Sequence, residues 1–351
     1  MQNKKNILNS DQEWPSDGIE FVPSCPVCGE IKREVIYEGL TDNIFFCAPG
    51  KWNMYCCNSC KSAYLNPRPS KETIGLAYQT YYTHDKPSEY SSLSFLDKLR
   101  RRLANGDRNH RYGTQDSPAS IIGVLASFLI PSVRKDIDAA MRHLPRITDG
   151  ERLLDLGCGN GNFLLKARSA GWDVVGVDFD AKAVKAALHQ GLDVRMGGVE
   201  ILDPSVEQFD VITLSHIIEH VHNPIKILQM CYSLLKPGGY LWLETPNIGS
   251  EGHRLFAESW RGLETPRHLV IFNFAAMHDA LGKVGFCKVE TQPYRLLCKS
   301  IFNASQAISD GFDPYLTPQR NIPSSLVREI EKIAKRNPSR REFICIKAWK
   351  K

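Results

Sequence analysis

The sequence predicts a doubly wound α/β fold with a seven-stranded, mostly parallel sheet and a small zinc-ribbon-like module at its N-terminal end. From residue 152 onward, short apolar runs alternate with stretches of helical period, a pattern typical of parallel strands joined by right-handed helical crossovers. Two Cys-x-x-Cys pairs between residues 25 and 60 predict the module. A chain of 351 residues is long enough for one large and one small domain.

Composition and charge narrow the class of protein. The chain has 44 basic and 39 acidic residues without a long run of one sign, so its charge does not by itself indicate nucleic-acid binding. The first twenty-odd residues are polar, and no apolar run approaches the roughly 18 residues of a spanning helix. Eleven cysteines are an odd number for a disulfide framework. We therefore expect a cytoplasmic protein with metal-bound thiolates.

Four segments are expected along the chain. They are a polar tail at 1–22, the zinc-binding module at 23–70, a helical connecting or substrate-lid segment at 71–146, and the α/β domain at 147–351. The apolar run Ile121–Ile130 favours a buried connecting helix. The alternative is that this run and the basic residues after it lie on an anionic membrane without spanning it.

The paired cysteines predict a structural zinc site. Its expected ligands are Cys25, Cys28, Cys57 and Cys60. Four thiolates can surround zinc tetrahedrally and leave no position for a substrate. Cys47 and Cys56 leave the ligand set open, because Cys56 adjoins Cys57 and gives a rarer but permitted spacing to Cys60.

The α/β domain is expected to contain seven strands and helices between them. The predicted strands are Arg152–Leu156, Asp173–Asp178, Asp193–Met196, Phe209–Leu214, Tyr240–Glu244, Phe286–Thr291 and Glu342–Trp349. Two late helices are predicted at Ile301–Ser309 and Ser325–Arg336.

A glycine-rich loop follows the first of these strands. Asp155 ends the strand, and glycines follow at positions 157, 159 and 161 before a helix that starts near Asn162. A carboxylate at this point suits an ammonium group and would oppose a pyrophosphate. The second strand ends in Asp178, where an acid can accept both hydroxyls of a ribose.

With these residues the chain resembles the class I methyltransferases from about Arg146 to its C-terminus. The resemblance implies S-adenosylmethionine as cofactor, Asp178 at its ribose, Phe179 beside its adenine, and the loop Gly197–Glu200 near that ring. The residues that it places around the remainder of the cofactor are Asp155, Gly157, Cys158, Gly159, Gly161, Ser215 and His216.

The fourth strand ends at a polar block on the edge where ligands of doubly wound sheets bind. If a helix begins there, His216, Glu219 and His220 project from one face and could hold a divalent cation or supply a base. The block resembles that of ubiquinone-pathway O-methyltransferases, where Glu, Glu and His are thought to bind a metal, with His216 in place of the first Glu. In the alternative, Glu219 and His220 only cap the turn.

A second candidate lies in the segment Trp260–Phe272, after the fifth strand. His268 is the first choice for a general base and Arg267 for an anion anchor, although His268 could instead only bond a neighbouring loop. Nearly the whole chain here resembles the zinc-containing sugar methyltransferases, in which the corresponding His is the base. The resemblance implies that Tyr81 and Tyr82 close over the cofactor, and the alternative is that they pack within a helix.

We therefore expect S-adenosylmethionine-dependent methyl transfer to a small molecule. A sugar or lipid-linked glycan precursor is favoured, and a quinone- or phenol-like acceptor comes second. The catalytic candidates are His268, His220 and Glu219, with a second divalent metal left open beside the zinc. An RNA methyltransferase is disfavoured because the chain lacks a cluster of basic and aromatic residues that could bind along an RNA strand. A non-enzymatic scaffold protein is disfavoured because the glycines and both carboxylates of the cofactor site are intact.

Overall fold

The computed structural model describes residues 13–78, 94–147, 150–295, 297–316 and 322–351. Tyr81, Tyr82 and most of the expected polar tail lie outside these ranges. The strands are β1 (Ile19–Glu20), β2 (Arg33–Leu40), β3 (Trp52–Cys57), β4 (Ala63–Leu65), β5 (Arg68–Pro69), β6 (Arg152–Leu156), β7 (Asp173–Asp178), β8 (Asp193–Met196), β9 (Phe209–Ser215), β10 (Leu235–Pro246), β11 (Val270–Ile271), β12 (Lys288–Thr291) and β13 (Phe343–Trp349). The α-helices are α1 (Phe95–Tyr112), α2 (Ile122–Leu129), α3 (Pro131–Ala140), α4 (Asn162–Ser169), α5 (Ala181–His189), α6 (Pro224–Leu234), α7 (Glu251–Phe256), α8 (Phe274–Val284), α9 (Cys298–Ser309) and α10 (Ser324–Arg336).

The predicted seven-stranded sheet is confirmed. Its order is β12-β13-β10-β9-β6-β7-β8, and only β13 runs antiparallel to its neighbours. The central strands are almost continuously apolar because helices cover both faces of the sheet. Strand β10 begins five residues earlier than expected, and its pairing with β9 is irregular between Leu235 and Tyr240. Pro237 lies in this interval and has no N–H to donate to the ladder.

A second sheet joins the cysteine-bearing module to the α/β domain. Its order is β11-β4-β3-β2, so three strands come from the module and one comes from the segment after β10. Val270 pairs with Tyr64, and Ile271 pairs with Ala63. All four residues are buried. The module therefore shares a sheet and a core with a distant part of the chain.

Helices α1 and α2 cross with their backbones in contact. A Cβ atom on Gly123 would lie 1.9 Å from the carbonyl oxygen of Leu103, and one on Gly106 would lie 1.8 Å from that of Ser120. Only glycine at these two positions allows so close an approach. The crossing fixes which side of α2 faces the protein.

Residues 121–130 contain the predicted helix, but the prediction that this helix is buried is wrong. The side of α2 that carries Gly123 and Ser127 packs against α1, and most of the large apolar side chains point away from it. Ile122, for example, is 63% exposed. No helix among the described residues is both long enough and apolar enough to cross a membrane.

The crossing makes a testable prediction about stability. We expect Gly123→Ala to lower the free energy of unfolding by about 1–3 kcal/mol, because the new methyl group must push the two backbones apart. The control is Gly282→Ala in α8, where a Cβ meets nothing within 4 Å. It should raise stability by about 0.5–1 kcal/mol. Urea unfolding of both variants measures the difference, and equal effects would contradict the close crossing.

Candidate active site

The glycine-rich loop lies between the ends of β6 and β7. Gly157, Gly159 and Gly161 all have positive φ, at 69°, 54° and 80°. The Gly159 N–H donates to Asp178 Oδ2 over 2.7 Å, and Asp178 Oδ1 accepts from the N–H of Asp180 over 2.8 Å. The acid of the second strand is thus held against the loop, as expected for two walls of one nucleoside site.

Asp155 lies at the base of this loop and is fully buried. Its Oδ1 atom forms an ion pair with Arg142 and accepts a bond of 2.9 Å from the Thr213 hydroxyl. Its Oδ2 atom is buried and makes no hydrogen bond with any described residue. Arg142 was not predicted as a partner, because nothing in the sequence pattern indicates that a cation 13 residues upstream folds back over Phe163 onto this carboxylate.

The remaining cofactor candidates take different positions. Phe179 is 75% exposed at the end of β7, and a Cβ on Gly198 would come within 2.8 Å of its ring. The loop expected near adenine is therefore beside the expected aromatic residue. Cys158 is buried with its thiol over Gly176, so its side chain packs against the sheet. Ser215 ends β9 at the same edge.

The polar block after β9 does not begin an α-helix, so its three polar side chains do not share the helix face that such a helix would have given them. His216 has a φ of 56°, residues 218–220 form one short 3-10 turn, and α6 starts only at Pro224. His216 nevertheless contacts two carboxylates, with Nδ1 lying 3.3 Å from Glu219 Oε1 and Nε2 lying 3.5 Å from Glu244 Oε1. Glu244 was missed, although it ends a predicted neighbouring strand at the same edge.

These contacts set the charges of the block. Desolvation lowers the pKa of His216, but the two carboxylates outweigh it and raise that pKa to about 10. Burial likewise favours the neutral form of Glu219, yet the bond from His216 and the nearby histidines bring its pKa down to about 2. The Thr245 hydroxyl donates to the other Glu219 oxygen over 2.9 Å. Near neutral pH the block contains an imidazolium and a buried, ionised carboxylate.

His220 turns away from His216 and meets His268. Their ring centroids are 4.7 Å apart. His220 Nδ1 is 3.0 Å from the Arg267 carbonyl oxygen, and His268 Nδ1 is 2.8 Å from that of Gly262. A carbonyl oxygen can only accept, so each Nδ1 carries a proton, and in a neutral ring Nε2 keeps a lone pair. Burial lowers the pKa of His268 to about 4, which keeps this ring neutral.

Glu219, His220 and His268 together form a candidate metal site. One ligand atom from each residue lies within 4.8 Å of the other two. The backbone carbonyls that hold both rings are the usual outer partners of metal-binding histidines. His268 thus takes the third position, which the sequence analysis gave to His216. Tyr78, also missed, places its hydroxyl 3.0 Å from His220 Nδ1.

Arg267 is not the expected anion anchor. Its side chain is fully buried and forms a two-pronged ion pair with Asp42 of the module, at 2.6 and 3.1 Å. Asp42 also accepts backbone N–H bonds from Phe45, Cys47 and Ala48. The guanidinium charge is therefore neutralised inside the protein, where no substrate anion can reach it.

The residue after His268 connects the two sheets. The Leu269 N–H donates to the Glu219 carbonyl over 2.8 Å, and the Leu269 carbonyl accepts from the Leu65 N–H over 3.1 Å. Leu269 is thereby bonded to the polar block on one side and to β4 on the other. The position of His268 depends on both.

The four predicted zinc ligands converge. The Cys25 and Cys60 sulfurs are 3.5 Å apart, as are those of Cys28 and Cys57, and all four lie within 4.8 Å of one another. Ligands about 2.3 Å from a zinc ion would lie about 3.8 Å apart in a tetrahedron, so the thiols fit the ion. Two neighbouring thiols point elsewhere, that of Cys56 towards the Cys57 carbonyl and that of Cys47 towards the Ala77 carbonyl.

Comparisons of the sequence and of the fold with known proteins all identify methyltransferases. Residues 128–291 match the sequence model of a methyltransferase domain. The chain is 35% identical over 105 residues to a ubiquinone biosynthesis O-methyltransferase of Bordetella avium and covers 44% of that protein with 28% of its own length. It is 33% identical over 149 residues to the mitochondrial ubiquinone biosynthesis O-methyltransferase of Mus musculus, covering 40% of that protein with 38% of its own length.

The chain thus spans less than half the length of these two relatives. Among solved structures, it resembles a SAM-dependent methyltransferase from Archaeoglobus fulgidus with a TM-score of 0.43 and 21% identity, over 65% of this chain and 99% of that one.

The geometry of the thiol cluster predicts a metal-dependent module. We expect the purified wild-type protein to contain about one zinc ion per chain, and Cys60→Ser to lose it, because three thiolates do not close the tetrahedron. Cys56→Ser is the matched control and should keep the metal. Elemental analysis measures both, and zinc loss from Cys56→Ser with retention in Cys60→Ser would contradict the ligand assignment.

The ion pairs of His216 predict a pH-dependent contribution to stability. Because its pKa is raised to about 10, the contribution is complete below its ordinary pKa of about 6.5 and is lost as the pH rises through 10. His216→Gln should therefore cost more stability at pH 6 than at pH 10.5, by no more than about 1–2 kcal/mol for a partly exposed ring. Urea unfolding of wild type and variant at both pH values tests this. A cost independent of pH would count against the charged pair.

Proposed function

Because the chain belongs to the class I S-adenosylmethionine-dependent methyltransferases, we propose that it transfers a methyl group from this cofactor to a hydroxyl oxygen of a small phenol- or quinol-like acceptor. The observation that carries the proposal is the buried cluster of Glu219, His220 and His268. It stands where β9 ends, at the carboxyl edge of a doubly wound sheet, where ligands of this fold bind. The glycine-rich loop follows the neighbouring strand at the same edge.

The residues around the loop fit S-adenosylmethionine. The bound cofactor supplies a methyl group already activated on a sulfonium. The buried, unpartnered Oδ2 of Asp155 can accept a hydrogen bond from the ammonium of the methionine part. Each Asp178 oxygen accepts one backbone N–H and has a lone pair left for a ribose hydroxyl. Phe179 offers an exposed ring to the adenine.

Two observations favour the phenol-like acceptor over the sugar that the sequence analysis preferred. Two relatives of the chain are named for ubiquinone biosynthesis and O-methylation. The ion pair with Asp42 also removes Arg267 as the group that would have recognised an acidic acceptor such as a phosphorylated sugar. The sugar acceptor stays a prediction.

The cluster can remove the proton of the acceptor hydroxyl. His268 is neutral near pH 7, and its Nδ1–H donates a hydrogen bond to the Gly262 carbonyl oxygen. The Nε2 atom is therefore free to accept a proton. The buried carboxylate of Glu264, whose Oε2 atom lies 3.7 Å from His268 Nε2, stabilises the imidazolium that results, and Glu219 contributes as well. The remaining contributions of the protein are to place the acceptor oxygen in line with the methyl–sulfur bond and to exclude water.

A second role for the same cluster is divalent-cation binding. Two imidazoles and one carboxylate within 4.8 Å match the two-His, one-carboxylate ligand set. A cation there would acidify a hydroxyl bound to it and make a protein base unnecessary. The two roles differ in whether activity depends on an added divalent ion.

The test is methyl transfer from labelled S-adenosylmethionine to catechols and, in parallel, to nucleotide sugars. We expect transfer to a catechol, and His268→Ala should lower turnover by about 10²–10⁴-fold. Cofactor affinity, measured by titration calorimetry, should be unchanged in this variant, whereas Asp178→Ala should bind the cofactor weakly. His220→Ala is compared under the same conditions.

Each arm of this experiment has its own meaning. Full turnover by His268→Ala would refute the base, and methylation of sugars alone would refute the acceptor class. Activity that disappears with a chelator under conditions in which the thiol-bound zinc remains, and returns with an added divalent ion, would assign the cluster to a cation.

A further inference from the structure

One face of α2 is apolar and points into solvent. Ile121 at the start of the helix is 76% exposed, Leu125 is 57% exposed and Phe128 is 73% exposed. With 100° per residue, the exposed large apolar side chains of residues 121–129 fall within an arc of about 120°. We call this the α2 face, and its residues are Ile121, Ile122, Leu125, Phe128 and Leu129.

The α2 face is held outward by contacts on the opposite side of the helix. Gly123 and Ser127 lie about 180° from its centre and are buried against α1. The Ser127 hydroxyl donates to the buried carboxylate of Asp107, which also forms an ion pair of 2.6 Å with Arg111. The helix therefore cannot turn its apolar face inward without breaking the glycine contact and a buried polar network.

More apolar side chains and a set of cations surround this face. Exposed apolar residues continue on α1 and beyond α2, at Phe95, Leu96, Leu99, Ile130 and Val133. Residues 95–140 carry eight basic and five acidic side chains. Three of the acids, Asp107, Asp116 and Asp138, are in ion pairs with Arg108 or Arg111. Arg100 is also ion-paired with Asp97, and the eight basic against five acidic residues leave this segment with a net charge of +3. The side chains of Arg101, Arg102 and Arg134 are exposed near the α2 face.

We propose that the α2 face docks on an anionic phospholipid bilayer. An apolar face inserts at the level of the headgroups, and neighbouring arginines bind the lipid phosphates. The helix has eight residues, about 12 Å, so it lies in the interface and does not span it. The charge pattern favours a bilayer over a second copy of this chain, since a symmetric dimer through this face would bring the same arginines together.

Helix α3 connects the α2 face to the candidate active site. Helix α3 begins directly after Ile130, and Arg142, which follows α3, is ion-paired with Asp155 under the glycine-rich loop. An acceptor with a long apolar tail could then stay in the bilayer while its polar ring is methylated. The docking surface itself is inferred independently of the proposed methyl transfer.

The test is flotation of the full-length protein with vesicles of phosphatidylcholine, with and without phosphatidylglycerol. We expect the wild-type protein to float with the anionic vesicles, and less so at high salt. Leu125→Glu combined with Phe128→Glu should weaken vesicle binding at least tenfold, because two charges would enter the headgroup region. Val206→Glu, at a side chain that is 79% exposed outside the α2 face, is the matched control and should bind as wild type.

A second pair of variants tests the charge contribution. Arg101→Gln combined with Arg134→Gln should weaken binding to anionic vesicles by roughly tenfold or more. Circular dichroism and cofactor calorimetry confirm that each variant is folded. The proposal is overturned if the wild-type protein binds neither kind of vesicle, or if Leu125→Glu with Phe128→Glu floats as wild type. It is also overturned if sedimentation shows a dimer that this double variant dissociates while no vesicle binding occurs.

Discussion

The ion pair between Asp42 and Arg267 holds the candidate active site together. Both side chains are buried, and the pair joins the module to the loop that follows β10. Two charges removed from water are costly to bury, and a single partner left alone in the interior would cost about 3–5 kcal/mol. Arg267 directly precedes His268, so the pair and the Leu269 backbone bonds fix the imidazole from both sides.

The zinc-ribbon-like module therefore supports the active site from a distance. Its thiols lie away from the cluster, yet its strand β4 pairs with β11, and Tyr78, just beyond the module, contacts His220. The loop that carries His268 has little regular structure of its own, because β11 has only two residues. A small domain with a closed metal site can give such a loop a rigid partner without taking part in the chemistry.

The sequence predicted the sheet well because buried parallel strands are short, apolar and regularly spaced, and the glycine-rich loop and thiol ligands are local patterns. It failed where function depends on contacts between distant segments. Arg142 and Asp155, Asp42 and Arg267, and His220 and His268 are brought together only by the fold. No α-helix begins at His216, which has positive φ and whose ring contacts the carboxylates of Glu219, in the turn after β9, and of Glu244, in β10. The apolar composition of α2 did not predict its exposure, because a buried helix would have the same composition.

We expect the four-thiol module, with zinc bound, to fix the His268 imidazole in its position. Long-range ¹H–¹⁵N correlation spectra of the histidine side chains, with His268→Gln for assignment, test it directly. With zinc bound, His268 should show one neutral tautomer with its proton on Nδ1, and removal of zinc should replace this signal by an average of the two tautomers. An unchanged His268 signal after complete loss of zinc would contradict the claim.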